Sequence, residues 1–136
     1  MIKKLIAITL LSLCGTAQAD SNFTAQAWLV ADSNGKILEG SNMTEVRSIA
    51  SITKLMTAMV VLDSGQSLTE IIPKKLYNKQ LTREILIDLA IVKSDNNAAK
   101  MLCDYYPGGY NSCIEAMNIK AISLQMINSI FTDPTG

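Results

Sequence analysis

The turn Asp32-Ser33-Asn34-Gly35, set between two apolar runs, constrains the fold more than any other stretch of this sequence. Ala25 to Ala31 is apolar around Trp28, Leu29 and Val30, and the chain resumes at Lys36 to Glu39. Asn-Gly tolerates the positive φ that tight hairpins demand. The pattern predicts a β-hairpin. Thr44 to Ala50 is irregular, and beyond it the apolar spacing turns helical. A helix is expected to start near Ser51, with Leu55, Met59 and Leu62 at helical spacing and Met56, Val60 and Val61 widening the face. Ser64-Gly65 stops it. Leu68 to Ile72 reads as a short extended stretch closed by Pro73.

Thr82 is placed to cap a second helix, Arg83 to Lys93, whose centre is apolar except for Asp88. A helix apolar on most sides is expected to be buried. Ser94-Asp95-Asn96-Asn97 interrupts it with residues that favour caps and turns. Ala98 to Tyr105 and Tyr110 to Leu124 read as two more helices, the latter with Cys113, Met117, Ala121 and Leu124 on one stripe. The tail from Asn128 is extended. One hairpin followed by helices is an α+β pattern, and 136 residues without repeats or a linker suit one domain.

The N-terminus reads as an export signal. Lys3 and Lys4 precede an apolar run, Leu5 to Leu13, and Ala17-Gln18-Ala19 supplies a small-x-small cleavage site. The run is shorter than the roughly 20 residues a membrane span needs. Cleavage after Ala19 leaves residues 20–136, slightly acidic, in the periplasm or outside the cell, with no second apolar run to anchor them. Cys14 offers a lipidation alternative, disfavoured by the bulk of Leu13. Export leaves Cys103 and Cys113. An oxidising compartment favours a disulfide between them over two buried thiols. It would close a loop containing Pro107-Gly108-Gly109.

The chain has no histidine, and its 12 basic and 12 acidic residues balance. That excludes Ser-His-Asp and Cys-His catalysis and His-dependent zinc sites. It also argues against non-specific nucleic-acid binding. Two short motifs offer chemistry without histidine. In Ser51-Ile52-Thr53-Lys54, residues three apart share a helical face, so the Lys54 amine can lie beside the Ser51 hydroxyl. The positive helix end and partial desolvation favour a neutral amine able to take the serine proton. The plain alternative is a capping serine with a solvated lysine. In Ser94-Asp95-Asn96, Ser94 can relay a proton and Asn96 can hold a substrate amide through its paired donor and acceptor. The plain alternative is a helix break capped by Asp95 or Asn96. Together, S-x-x-K and S-D-N are two of three signature motifs of class A β-lactamases and penicillin-binding proteins.

The wider sequence resembles the D-alanyl-D-alanine carboxypeptidase family, the low-molecular-mass penicillin-binding proteins. Arg47 to Ala58 is similar to that family's nucleophile region, and Leu81 to Asn97 to its second-motif region. Tyr106 to Tyr110, Ala116-Met117-Asn118 and Asp133-Pro134-Thr135-Gly136 resemble the endopeptidase branch of penicillin-binding protein 7 type. The resemblance implies a β-lactamase/transpeptidase-like fold: an N-terminal hairpin, a helical lobe, and a central antiparallel sheet left incomplete without its C-terminal strands. Residues 20–136 would then be the N-terminal part of a DD-peptidase domain. It implies a serine acyl-enzyme on peptidoglycan stem peptides or cross-links, with β-lactams as covalent inhibitors. Ser51 would be nucleophile, Lys54 its base, Ser94 the proton relay and Asn96 a substrate-binding residue, with no metal or cofactor.

The family's third motif, K-T-G, does not occur in the 136 residues. Thr135-Gly136 belongs to the D-P-T-G match. In the family that motif supplies an oxyanion-hole N–H, and loss of one such donor lowers rates roughly 100- to 1000-fold. The alternatives are therefore a fragment of a longer enzyme, a half-domain completed by a second chain, or a non-catalytic cell-wall-binding or regulatory homologue. A class A β-lactamase would need a glutamate-activated water. Glu115 is the one glutamate after the second motif, and its place inside the fourth helix argues against that reading.

Overall fold

The computed structural model describes residues 24–136. The expected export signal and Cys14 lie outside the described residues. The chain divides near residue 45 into two compact units.

The first unit holds a hairpin of β1 (Trp28–Ala31) and β2 (Ile37–Ser41), antiparallel with Trp28 opposite Ser41 and Val30 opposite Glu39. Asp32 builds the turn. Its carboxylate accepts from the Asn34 and Lys36 N–H groups, both at 2.9 Å, while Gly35 sits at φ +81°. Side-chain anchoring and positive φ are what the Asp-Ser-Asn-Gly sequence supplies.

The second unit begins with a single 3₁₀ turn, Ala50–Ile52, that runs directly into α1 (Thr53–Asp63). Two further strands follow, β3 (Ile71–Leu76) and β4 (Lys79–Thr82), then α2 (Arg83–Val92), α3 (Asn96–Asp104) and α4 (Tyr110–Ser123). The expectation of a strand closed by Pro73 is corrected. β3 runs through Pro73, and the β3–β4 register is irregular between Ile71 and Lys75. Proline lacks a ladder donor and survives in a strand at such an irregularity. Tyr77 and Asn78 make the β3–β4 turn, both at positive φ, the geometry of the tightest hairpins.

Two buried clusters hold this unit. One joins Val61 of α1 to Ile72, Leu76, Leu86, Ala90, Ala99 and Leu102. The other joins Met56 and Val60 of α1 to Cys103, Cys113, Met117, Ala121 and Phe131. α1 therefore lies between them, buried through Met56, Thr57, Val60 and Val61. The stripe first expected to form its face, Leu55, Met59 and Leu62, is instead exposed. α1 is apolar on both sides, so its sequence does not say which side packs. α2 is likewise only partly buried, through Arg83, Leu86 and Ala90, while Ile85, Ile91 and Val92 are exposed. On α4 the stripe of Cys113, Met117 and Ala121 is buried, and Leu124 lies past the helix end, exposed.

Arg83 is fully buried. Its guanidinium pairs with the Glu70 carboxylate and donates to the Ser67 carbonyl at 3.3 Å. The Arg83 N–H also donates to the Glu70 carbonyl and the Glu84 N–H to that of Leu68. These bonds tie the loop after α1 to the start of α2. The Cys103 and Cys113 sulfurs are joined as a disulfide between α3 and α4.

Candidate active site

Ser51 and Lys54 straddle the junction of the 3₁₀ turn and α1. Ala50, just before the serine, is held at φ +45°, a conformation that costs a non-glycine residue about 1–3 kcal/mol. Neither Ser51 nor Ser94 caps a helix. α1 has no side-chain cap, and α3 is capped by Asp95, which accepts from the Asn97 and Ala98 N–H groups at 2.8 and 3.1 Å. Both serine hydroxyls are thus left for other work.

Lys54 is 1% exposed. Three oxygens surround its Nζ: Ser51 Oγ at 2.9 Å, Ser94 Oγ at 3.4 Å and the Thr135 carbonyl at 3.2 Å. A buried amine is tolerated only with such partners. This differs from the plain alternative of a solvated lysine. The second motif reaches Lys54 because α2 ends at Val92 and the chain turns sharply. Ser94 adopts φ +53°, and the Asp95 N–H returns to the Leu89 carbonyl at 3.0 Å. Ser51, Lys54 and Ser94 line one open cleft of about 280 Å³, walled by Ile52, Leu55, Ala90 and Ile91. Asn96 starts α3 and is exposed, outside the cleft lining. Glu115 is exposed on α4 and does not line the cleft either.

Asp95 is drawn into a second contact by the β3–β4 turn, where the Tyr77 hydroxyl donates to its other carboxylate oxygen. Partial burial works against the Asp95 anion. The bonds from Tyr77, Ala98 and Asn97 and the nearby Lys54 charge outweigh it and hold this carboxyl below its ordinary range. The same Asp95 bond, then burial, raises the Tyr77 phenol. Asp133 is also held low, first by the Thr135 hydroxyl and N–H, then, against partial burial, by the Gly136 N–H and the Lys100 charge.

Two features here escaped sequence reasoning. Tyr77 has no motif around it. Thr135 contributes a backbone carbonyl, which any residue carries, and it lies in a tail expected to be extended, where the Asp133 carboxylate instead closes a turn on the Thr135 and Gly136 N–H groups. Among the described residues no cluster of three or more metal-ligating side chains occurs.

A sequence model described as D-alanyl-D-alanine carboxypeptidase, peptidase S11, matches residues 14–75 and 71–136. The chain belongs to the D-alanyl-D-alanine carboxypeptidase family, peptidase S11. Among its relatives in that family, the D-alanyl-D-alanine endopeptidase of Pseudomonas aeruginosa is 43% identical over 123 residues, which cover 79% of this chain and 40% of that protein. The D-alanyl-D-alanine endopeptidase of Escherichia coli is 39% identical over 135 residues, 89% of this chain and 44% of that protein. The peptidase S11 chain therefore spans less than half the length of these relatives. Penicillin binding protein 5 from Haemophilus influenzae superposes on it with a TM-score of 0.74 at 28% identity, over 83% of this chain and 39% of that one. The fold is that of the penicillin-binding proteins, α+β with small, incomplete sheets.

Proposed function

We propose that this S11 chain carries the nucleophile half of a serine-type D-alanyl-D-alanine peptidase acting on peptidoglycan peptides. The single observation that supports it is the buried Lys54 amine 2.9 Å from Ser51 Oγ and 3.4 Å from Ser94 Oγ. Ser51 Oγ attacks the D-alanyl carbonyl carbon while Lys54 Nζ takes the hydroxyl proton. The peptide C–N bond then breaks, and the proton passes through the Ser94 hydroxyl to the leaving amine. Water hydrolyses the resulting Ser51 ester, with Lys54 as base again. Asn96, two residues beyond Ser94, is the candidate to hold the substrate amide. No step needs a metal or cofactor.

β-Lactams acylate Ser51 by the same attack, with the ring C–N bond as the one that opens. Export fits this substrate: residues 1–19 act as a cleaved signal, residues 20–136 form the peptidase part, and the protein works in the periplasm or outside the cell. Whether the sheet is completed by further sequence or by a second chain, the K-T-G strand is what full turnover calls for.

The test is covalent labelling of the folded chain with a fluorescent penicillin. Wild type is expected to form a stoichiometric Ser51 adduct, Ser51→Ala none, and Lys54→Ala to react roughly 100- to 10,000-fold more slowly, the range for loss of a general base. Equal, absent labelling of wild type and Ser51→Ala sinks the catalytic reading. Peptidoglycan pull-down that survives Ser51→Ala would then replace it with a non-catalytic cell-wall-binding half-domain.

A further inference from the structure

The Asp133-Pro134-Thr135-Gly136 turn touches the 3₁₀ turn and the start of α1 at three places, and none is used in the chemistry above. The Thr135 carbonyl accepts from Lys54 Nζ at 3.2 Å. The Pro134 carbonyl accepts from the buried Thr57 hydroxyl at 2.9 Å, one turn further along α1. Gly136, at φ +89°, lies so close to Ala50 that a Cβ there would fall 1.9 Å from the Ala50 carbonyl oxygen. The turn thus contacts the residue before Ser51, the base itself, and the helix behind both.

We propose that this turn sets the orientation of the Lys54 amine, with Asp133 as the positioning residue. Asp133 does not touch Lys54; it acts through the turn. One carboxylate oxygen accepts from the Thr135 N–H at 2.7 Å, the Thr135 hydroxyl at 2.6 Å and the Gly136 N–H at 2.9 Å. Three donors on one oxygen hold the Thr135 carbonyl where it points at Nζ. A carbonyl oxygen can only accept, so it always takes an N–H of the amine. A neutral amine has two N–H bonds and one lone pair. With one N–H given to Thr135 and Ser94 Oγ available to the other, the lone pair is left for Ser51. The turn decides which side of the nitrogen meets the nucleophile. This assignment rests on the reading of Lys54 as the base, yet it concerns the amine and can be measured on it directly.

The experiment is limiting acetylation of the full, disulfide-intact chain with acetic anhydride, read by peptide mass spectrometry as the Lys54 to Lys79 ratio. Lys79 is exposed and serves as reference. Asp133→Ala is expected to raise the ratio at least about tenfold, the size of one lost charge-assisted bond, whereas Asp133→Asn, keeping a side-chain acceptor, stays within about twofold of wild type. Thr57→Val, which removes the donor to the Pro134 carbonyl at 2.9 Å together with the same hydroxyl's long contact to Met117 Sδ at 3.8 Å, raises it by a smaller factor and carries the test if Asp133→Ala does not fold. An unchanged ratio in a folded Asp133→Ala, or in Thr57→Val where that variant carries the test, overturns the proposal. So does an equal rise in Asp133→Ala and Asp133→Asn, because rescue by the conservative variant is what positioning requires. Penicillin labelling of the same chains separates the two readings. A responding ratio without any adduct rejects the catalysis alone, and a flat ratio with a normal adduct rejects the positioning alone.

Discussion

At the scale of the residue, Asp133 shows how one exposed-looking loop carboxylate becomes structural. It is only partly buried, yet the Thr135 hydroxyl, the Thr135 N–H and the Gly136 N–H converge on it and favour the anion. Its folded-state pKa lies below the ordinary 3.8. A depressed carboxyl contributes stability that is present above the unfolded-state pKa and is lost as pH falls through the folded-state value. Wild type is therefore expected to be more stable than Asp133→Asn at neutral pH. That advantage should shrink as urea melts are taken from pH 6 down through 3.8 and below. An advantage that stays constant with pH would show that the carboxylate's charge contributes nothing. Arg83 is the opposite case, a charge buried completely and held by Glu70 and the Ser67 carbonyl. Its role is to fix the loop, and nothing in the sequence around it distinguishes it from a surface arginine.

At the scale of the element, the break between α2 and α3 matters more than either helix. It consists of Lys93, Ser94 and Asp95, and it must turn the chain, cap α3 and deliver the Ser94 hydroxyl to Lys54. Asp95 does the capping through one oxygen and binds Tyr77 through the other, leaving Ser94 free to face the cleft. Thr82 caps α2 more weakly, with one contact at 3.4 Å to the Ile85 N–H. Loss of a helix cap costs about 0.5–2 kcal/mol. Asp95→Ala is expected at the upper end of that range and Thr82→Ala at the lower, measured as the shift in urea midpoint at constant slope. A larger loss for Thr82→Ala would contradict this account of the break. The caps were legible because Thr, Asp and Asn before apolar runs have a local physical meaning. The β3–β4 hairpin was not legible, because Tyr77-Asn78 is an unusual pair for positive φ and Pro73 argues locally against a strand.

At the scale of the whole molecule, the second unit is held by small clusters on either side of α1 and by the Cys103–Cys113 bridge between α3 and α4. Both cysteines lie in the cluster that includes Met56 and Val60 of α1, the helix that carries Lys54. A bridge closing so short a loop contributes about 2–4 kcal/mol. The double variant Cys103→Ala/Cys113→Ala is expected to lose that much in denaturant melts, and a loss below 1 kcal/mol would show that packing alone suffices there. The sequence by itself determined the family, the S-x-x-K and S-D-N motifs, the first hairpin and the existence of four helices. Each of these rests on local chemistry: turn residues, caps, and spacing on one helix. Only the tertiary structure decided which face of α1 is buried, that Ser94 crosses 40 positions of chain to meet Lys54, and that the Thr135 carbonyl completes the ring of oxygens around the amine. Those outcomes depend on contacts between segments far apart in the chain. An apolar helix with two usable faces, or a backbone carbonyl that every residue owns, carries no local mark of the partner it will meet.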